Sequence, residues 1–270
     1  MTDLIHQFSD VTLDVFSSRR DALRRTGKLG IGAALAALPF LKPGRAQAQS
    51  MDGDLGILNY ALTLEYLERS FYRQAIATDL IPAGAISVLF DTVEGHEEAH
   101  VSLLAGAITT AGGTPVDYED SDFTFDAFLG DFASIATLAQ GLEDTGVRAY
   151  KGQAAAIVNK AYLTVALQIH SVEARHAAAI RSLEASPAAQ GWIPLAQPGA
   201  PGPIAPVYAG EDNTTQGDVD LASALSGYTT EQITEAFDET LTMDQVLAIA
   251  GPFITGTEGD TPTEEEEGEG

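Results

Sequence analysis

Four glutamates and two histidines recur along this chain in two matching halves, with a spacing typical of a metal-binding site. Each half has a lone glutamate followed 32 or 30 residues later by Glu-x-x-His: Glu65, Glu97 and His100 in the first half, Glu143, Glu173 and His176 in the second. The three-residue spacing within Glu-x-x-His places both side chains on one helical face. Carboxylates and imidazoles bind divalent transition metals. Repetition of the whole pattern therefore predicts a duplicated helical hairpin that holds two metal ions.

Each lone glutamate is also followed seven residues later by a tyrosine: Tyr72 follows Glu65, and Tyr150 follows Glu143. Two helical turns separate the members of each pair, so they share a face. The tyrosines either hydrogen-bond carboxylates, act as redox-active neighbours of the metals, or serve only as core aromatics. The same spacing selects Glu65 over Glu68, one turn further on. Glu68 is then a neighbour of the ligands, or the ligand in place of Glu65.

Two further histidines lie close to the pattern. His170 precedes Glu173 by three residues and flanks the inward face of its predicted helix. It is either an alternate ligand or a partly exposed neighbour of the site. His96 points about a quarter turn away from the inward face of its helix, which favours a position outside the ligand set.

Residues 52–185 are predicted to form four long helices, because apolar residues recur there with a 3.6-residue period. A break is predicted at residues 151–153, between the third helix and the fourth. The acidic connection over residues 112–123 is long enough to cross one end of a bundle. The predicted helices span about 52–77, 82–111, 125–150 and 154–185.

Each of the four repeated glutamates falls in the middle of the apolar stripe of its own helix. An ionised carboxylate in an apolar interior costs several kcal/mol unless it is paired or bound to a cation. Arginines are scarce in this segment, so they offer few partners. Two divalent cations would neutralise four carboxylates, and the histidines would add neutral nitrogen ligands. A bundle that keeps the pattern without binding metal is the alternative.

This ligand arrangement resembles that of ferritin-like di-iron and di-manganese proteins, in which two helices each provide a glutamate and two each provide Glu-x-x-His. Residues 52–185 are similar to rubrerythrins and manganese catalases, and the segment LNYALTLEYLERSFY, residues 58–72, is most similar to the exported, desiccation-related branch. The resemblance implies an all-α, ferritin-like four-helix bundle with a long crossover between the second and third helices, and two bound iron or manganese ions. The resemblance implies that Glu65 and Glu143 are terminal ligands and that Glu97 and Glu173 bridge the two metals. It also implies that His100 and His176 each bind one metal.

Residues 1–48 have the pattern of an export signal. Arg19 and Arg20 open a basic stretch, an apolar run over residues 29–41 follows, and Ala46-Gln47-Ala48 is a small-residue cleavage sequence. The paired arginines resemble a twin-arginine signal. The apolar run is shorter than the roughly 20 residues that span a membrane. We therefore expect an exported protein, located in the periplasm, in the cell envelope or outside the cell. An ordinary secretory signal and an N-terminal membrane anchor are the alternatives.

The chain contains 39 Asp and Glu against 14 Lys and Arg, and no cysteine. The excess of negative charge argues against nucleic acid as a partner, because phosphate binding requires clustered basic residues. A solubilising surface, or attraction of metal cations, would explain it. The lack of cysteine excludes disulfides, thiolate metal sites and a rubredoxin-like iron site.

The composition changes after residue 186. Six of the 12 prolines fall between Pro187 and Pro206, which predicts an irregular chain. Residues 229–250 are predicted to form one or two short helices that pack on an end of the bundle or against a second subunit. The acidic residues 257–270 are expected to be disordered. The predicted parts are thus a signal over 1–48, a bundle over 52–185, an extension over 186–256 and a tail over 257–270.

Two classes of function follow from these features. One is a di-metal oxidoreductase, catalase-like or ferroxidase-like, that acts on peroxide, oxygen or the metal itself. A rubrerythrin-type peroxidase would need an outside electron donor, because the chain has no cysteine, whereas catalase chemistry needs none. The other class, implied by the desiccation-related resemblance, is a non-enzymatic stress or envelope-interaction protein that uses the bundle structurally. A homo-oligomer is compatible with both.

Overall fold

The computed structural model describes residues 53–183, 191–196 and 204–255. The expected export signal, the acidic tail and much of the proline-rich stretch lie outside the described residues. No helix in the described ranges is both long enough and apolar enough to cross a membrane.

Four long helices form the bundle: α1 Gly53–Ala77, α2 Ala85–Thr110, α3 Phe132–Ala154 and α4 Lys160–Arg181. Helix α1 packs along α2, and α3 packs along α4. The two hairpins meet through α1 and α3. The predicted all-α, four-helix fold is thus confirmed.

The third helix begins later than the sequence predicts, at Phe132 rather than Phe125. The Asp131 carboxylate accepts a hydrogen bond from the backbone N–H of Ser134 at 2.8 Å, and this N-cap fixes the first turn. Phe125 instead lies in the crossover, where its buried ring contacts the ring of Phe71 edge-on. A core aromatic outside the helix therefore explains why periodicity misplaced the boundary.

The predicted break at residues 151–153 is wrong, because α3 continues to Ala154. Gly152 lies inside the helix, where a Cβ atom would come within 2.1 Å of the Leu241 carbonyl oxygen. The glycine is therefore required by the close approach of the C-terminal extension and not by a turn.

The crossover between α2 and α3 covers the outer side of α1. It includes a 3₁₀ helix at Asp120–Asp122. The Asn59 side chain donates to the carbonyl of Thr114 at 3.3 Å, and the Ser70 hydroxyl donates to the carbonyl of Asp120 at 3.2 Å. These bonds explain why α1 is buried over most of its circumference.

Residues 204–255 form a C-terminal extension that packs against α3, partly through the helix Met243–Ala250. Its two short strands are antiparallel, with Thr215 opposite Asp220. The side chains of Thr229 and Thr242 cap the helices Thr230–Thr234 and Met243–Ala250, which confirms the prediction of one or two helices over residues 229–250. Its elements are the 3₁₀ helix Ala205–Tyr208, β1 Thr215–Gln216, β2 Val219–Asp220, α5 Leu221–Ala224, α6 Thr230–Thr234, α7 Met243–Ala250 and the 3₁₀ helix Gly251–Phe253.

A buried arginine on α3 holds this extension. The Arg148 guanidinium has no solvent exposure and pairs with the Glu211 carboxylate at 3.1 Å. It also donates to the backbone carbonyls of Val207, of Ala209 at 2.7 Å and of Glu239 at 3.0 Å. One side chain thus satisfies carbonyls from two separate stretches of the extension, which has little regular structure to satisfy them itself.

A second buried contact lies beside it on the same helix. The Asp144 carboxylate accepts hydrogen bonds from Arg181 of α4 and, at 2.8 Å, from the Tyr208 hydroxyl. Gly141 allows the extension to approach, since a Cβ there would lie 2.7 Å from Cγ2 of Ile204. One face of α3 is therefore specialised for the extension.

Replacing Gly152 with alanine is expected to destabilise the fold by about 3 kcal/mol, the upper end of the usual cost of overpacking. The added Cβ would meet a backbone carbonyl, which cannot rotate away as a side chain can. Urea unfolding followed by circular dichroism measures the change. Gly106→Ala in α2 is the matched control, because nothing lies within 4 Å of its added Cβ. That variant should gain about 0.5–1 kcal/mol from helix propensity. Equal behaviour of the two variants would contradict this account.

Candidate metal centre

All six residues of the repeated pattern lie together inside the bundle. The four carboxylates have no solvent exposure and both imidazoles are buried. Each lies on the apolar stripe of its helix, so the burial that folds the bundle also carries these charged groups inward. Glu65 comes from α1, Glu97 and His100 from α2, Glu143 from α3, and Glu173 and His176 from α4.

The Nδ1 atom of His100 faces three carboxylates. It lies 3.1 Å from Oε2 of Glu65, 3.0 Å from Oε2 of Glu97 and 3.2 Å from Oε1 of Glu173. One ligand atom from each of these four residues lies within 4.8 Å of the others. This first group could therefore hold a metal ion.

The Nδ1 atom of His176 faces a second group. It lies 3.1 Å from Oε1 of Glu97, 3.2 Å from Oε2 of Glu143 and 3.8 Å from Oε2 of Glu173. Glu97 and Glu173 belong to both groups and present a different oxygen to each imidazole. Two carboxylates that bridge two metals would be arranged as Glu97 and Glu173 are. Two terminal carboxylates would lie as Glu65 and Glu143 do, each in one group.

Several of these oxygens make no hydrogen bond, although an imidazole is close. Oε1 of Glu97 and both oxygens of Glu173 are buried without a hydrogen bond, and an imidazole Nδ1 lies 3.1 to 3.8 Å from each of them. An unpaired buried carboxylate costs several kcal/mol, so the donor set fits two divalent cations, which would supply positive charge and accept neutral imidazole nitrogens as ligands. Four arginines of the bundle pair with other acids: Arg69 with Glu98, Arg73 with Glu94, Arg148 with Glu211 and Arg181 with Asp144.

Burial and mutual repulsion shift the pKa values within the cluster. Burial raises the pKa of Glu97 well above its usual value, and the neighbouring Glu173 raises it further. Burial also raises the pKa of Glu143, to about 7, against the opposing effect of His176. Burial alone would lower the pKa of His176, but the carboxylates facing it, led by Glu143, raise it to about 12. The imidazole and some of the carboxylates therefore hold protons at neutral pH when no metal neutralises the cluster.

The two tyrosines each bind the carboxylate of the opposite half. The Tyr72 hydroxyl donates to Oε1 of Glu143 at 2.5 Å, and the Tyr150 hydroxyl donates to Oε1 of Glu65. Of the predicted alternatives, the hydrogen bond to a carboxylate is the one the structure shows, but the partner is not the glutamate seven residues earlier. These bonds orient the two outer carboxylates and join the two hairpins.

Glu68 is a fifth buried carboxylate beside the cluster. It is 2% exposed, and its Oε2 atom has no hydrogen-bond donor. Burial, followed by repulsion from Glu173, raises the pKa of Glu68 well above its usual value. Gly146 of α3 leaves room for it, since a Cβ there would lie 3.0 Å from Oε1 of Glu68. Of the two candidates on α1, Glu65 belongs to a four-residue group and Glu68 to neither.

The remaining histidines differ in their relation to the cluster. His170 is half-buried, belongs to neither group, and its Nδ1 atom lies 3.0 Å from the carbonyl oxygen of Val147. His96 is exposed on α2 and lies outside both groups. Its Nδ1 atom, however, lies 2.9 Å from Nε2 of His176, a contact that the sequence analysis missed. The available signal was its position directly before Glu97, which places it at the edge of the inward face.

Metal binding is expected to release protons and to strengthen as the pH rises. His176 has a pKa raised to about 12, so its imidazole is protonated at neutral pH and must lose that proton to become a neutral ligand. Apparent affinity should rise about tenfold per pH unit for each proton released. Calorimetric titration with Mn²⁺ between pH 6 and pH 8, in buffers of different ionisation enthalpy, counts the protons. His170→Ala should release the same number, and pH-independent affinity would contradict the prediction.

Residues 53–186 match the family described as ferritin-like domain. Comparison with curated proteins gave no match. The matched segment contains all four long helices and all six residues of the two groups. This chain therefore belongs to the ferritin-like domain family through the helical bundle that carries its buried carboxylate–histidine cluster.

Proposed function

We propose that this chain is an exported protein that binds two iron or manganese ions in its ferritin-like domain and acts as an oxidoreductase on peroxide, oxygen or the metal itself. The observation that carries the proposal is the pair of four-residue groups that share Glu97 and Glu173. Two carboxylates that each present one oxygen to each group would hold two cations close together. When bound, such a pair of redox metals supplies electrons and Lewis acidity at one small site.

The residues around the cluster have separate tasks in this proposal. His100 and His176 each provide one nitrogen ligand from opposite helices. Tyr72 and Tyr150 fix the orientation of the outer carboxylates by donating to one oxygen and leaving the other free for a cation. Glu68, with its raised pKa, can hold a proton beside the centre without being one of the six ligands.

Among the reactions open to such a site, we favour the dismutation of hydrogen peroxide. The chain has no cysteine, so it cannot carry a thiolate iron site that would pass electrons to the bundle. Peroxide dismutation needs no electron donor, because one peroxide is oxidised while another is reduced. Independence from a donor also suits a protein that acts outside the cytoplasm.

The test is the metal content and activity of protein purified after export in its native host. Wild type should contain about two iron or manganese ions per chain, measured by mass spectrometry, and should evolve oxygen from hydrogen peroxide. Glu173→Ala should lose both properties, because Glu173 belongs to both groups. Asp91→Ala, an exposed acid of α2, is the control and should keep them. A stable wild-type bundle without metal or peroxide consumption would reject the proposal and favour the non-enzymatic stress protein.

Export itself rests on the sequence of residues 1–48. Replacing both Arg19 and Arg20 with lysine is expected to retain the protein in the cytoplasm, because a twin-arginine signal depends on the arginine pair. Immunoblots of cytoplasmic and exported fractions measure the distribution. The control replaces Arg24 and Arg25 with lysine instead. Like the first variant it leaves the net charge of the segment unchanged, but it should also leave export intact. Export of the Arg19 and Arg20 variant would point to an ordinary secretory signal.

A further inference from the structure

The two halves of the cluster match in their ligands but differ in the group behind each imidazole. On the side of His176, Nε2 lies 2.9 Å from Nδ1 of His96, which sits exposed on α2. The corresponding position of the other half, directly before Glu173, is Val172. Valine has no polar side-chain atom, so it cannot accept a hydrogen bond from His100 as His96 can from His176.

The contact fixes which nitrogen of His176 carries the proton when that residue is a ligand. Its Nδ1 faces Glu97 and Glu143 and must be free of a proton to bind a cation. The proton then resides on Nε2, which can donate to Nδ1 of His96. Metal-bound histidines usually donate their other N–H in this way, and the partner raises ligand basicity and holds the ring.

His100 has no equivalent arrangement. Within the described ranges, its polar contacts all involve Nδ1, which faces Glu65, Glu97 and Glu173. Its ring is therefore oriented only by the carboxylates with which it would share a metal. The pseudo-symmetry of the sequence thus breaks at one position, and the break lies in direct contact with the site.

We propose that His96 is a positioning residue that makes the two metal positions unequal, so that the ion held by Glu143 and His176 binds more tightly than the ion held by Glu65 and His100. The inference rests on the proposed function, because it requires two bound ions. Loss of such an outer partner typically lowers metal affinity 10- to 100-fold. We expect the two binding steps of the wild type to differ by roughly that factor.

Ring stacking is the competing explanation for the contact. The rings of His96 and His176 are nearly parallel, with an interplanar angle of 12° and centroids 5.1 Å apart. Two variants separate stacking from hydrogen bonding. His96→Phe keeps an aromatic ring without an acceptor, and His96→Gln keeps an acceptor without a ring. Because His96 is exposed, both should fold as the wild type does, which thermal unfolding of the metal-free proteins checks.

The experiment is a calorimetric titration of the full chain with Mn²⁺. His96→Val, which copies the valine of the other half, and His96→Phe should weaken the tighter step about 10- to 100-fold, while His96→Gln should keep most of the affinity. In a Glu65→Ala background, which leaves the His176 side intact, His96→Val should weaken the remaining site. In a Glu143→Ala background it should have no effect.

Four results would overturn the inference. Equal affinities of the two wild-type steps would show that the metal positions are equivalent. No change in His96→Val would show that His96 does not make them unequal. Both results would leave the proposed function intact. Full affinity in His96→Phe would assign the effect to stacking. Absence of binding of both Mn²⁺ and Fe²⁺ by the wild type would reject the proposed function together with this inference.

Discussion

Alanine at Glu97 is expected to remove both metal ions from the bundle, whereas alanine at Glu65 or Glu143 is expected to remove only one. Glu97 faces His100 through Oε2 and His176 through Oε1, so its loss takes one oxygen from each group. The outer carboxylates each belong to a single group. Affinity for both ions should fall by at least about 100-fold in Glu97→Ala, since outer partners alone cost 10- to 100-fold. Titration with Mn²⁺ gives the stoichiometry of each variant.

The stability of the metal-free variants separates binding from folding. Glu97 carries a buried carboxylate oxygen without a donor, and its neighbour Glu173 repels it. Removing it relieves repulsion, so metal-free Glu97→Ala should be no less stable to urea than metal-free wild type. Full retention of two ions by Glu97→Ala would refute the bridging role. Loss of both ions in Glu65→Ala would show instead that the two positions fill only together.

Methionine at Arg148 is expected to destabilise the protein by about 3–5 kcal/mol, the usual cost of removing one partner from a buried ion pair. The substitution would leave the Glu211 carboxylate and the carbonyls of Val207, Ala209 and Glu239 without their shared donor. Burial already raises the pKa of Glu211 to about 7, against the lowering effect of the arginine. Urea unfolding measures the change in free energy.

The control is the neighbouring ion pair on the same helix. Lys151 pairs with Asp238 at 2.7 Å, but both side chains are partly exposed. Lys151→Met should therefore cost less than about 1 kcal/mol. If Arg148→Met also lowered the free energy of unfolding by less than about 1 kcal/mol, the extension would be held by its packing, such as that of α7 against α3, and not by the arginine.

Both substitutions concern interactions of α3, which contacts the carboxylate–histidine cluster with one face and the C-terminal extension with the other. One face carries Glu143, Gly146 and Tyr150 to the cluster. The other binds the extension through Arg148 and Gly152. Because polar residues on both faces are buried, α3 buries a second face in addition to its apolar stripe, unlike a surface helix. This second buried face explains why the end of α3 was misplaced from periodicity, whereas its start was misplaced because the core aromatic Phe125 lies outside the helix.

The local sequence pattern was sufficient to predict that four long helices form and that the six glutamates and histidines lie together inside the bundle. A helix with one apolar stripe must bury that stripe, and Glu97 with His100, or Glu173 with His176, lies on it whatever the neighbours are. Four such stripes in one bundle can only face one another. The sequence therefore determined which residues meet inside the protein, even though spacing says nothing about the distances between helices.

Only the tertiary structure decided how these residues are partnered. Tyr72 reaches the glutamate of the opposite half, and His96 contacts His176 across 80 residues of chain. Gly152 is a glycine because a distant carbonyl approaches it. Each of these contacts depends on the spacing and rotation of packed helices, which are set by the side chains of all the elements together. Sequence periodicity fixes the face on which a residue lies, but packing fixes what that face meets.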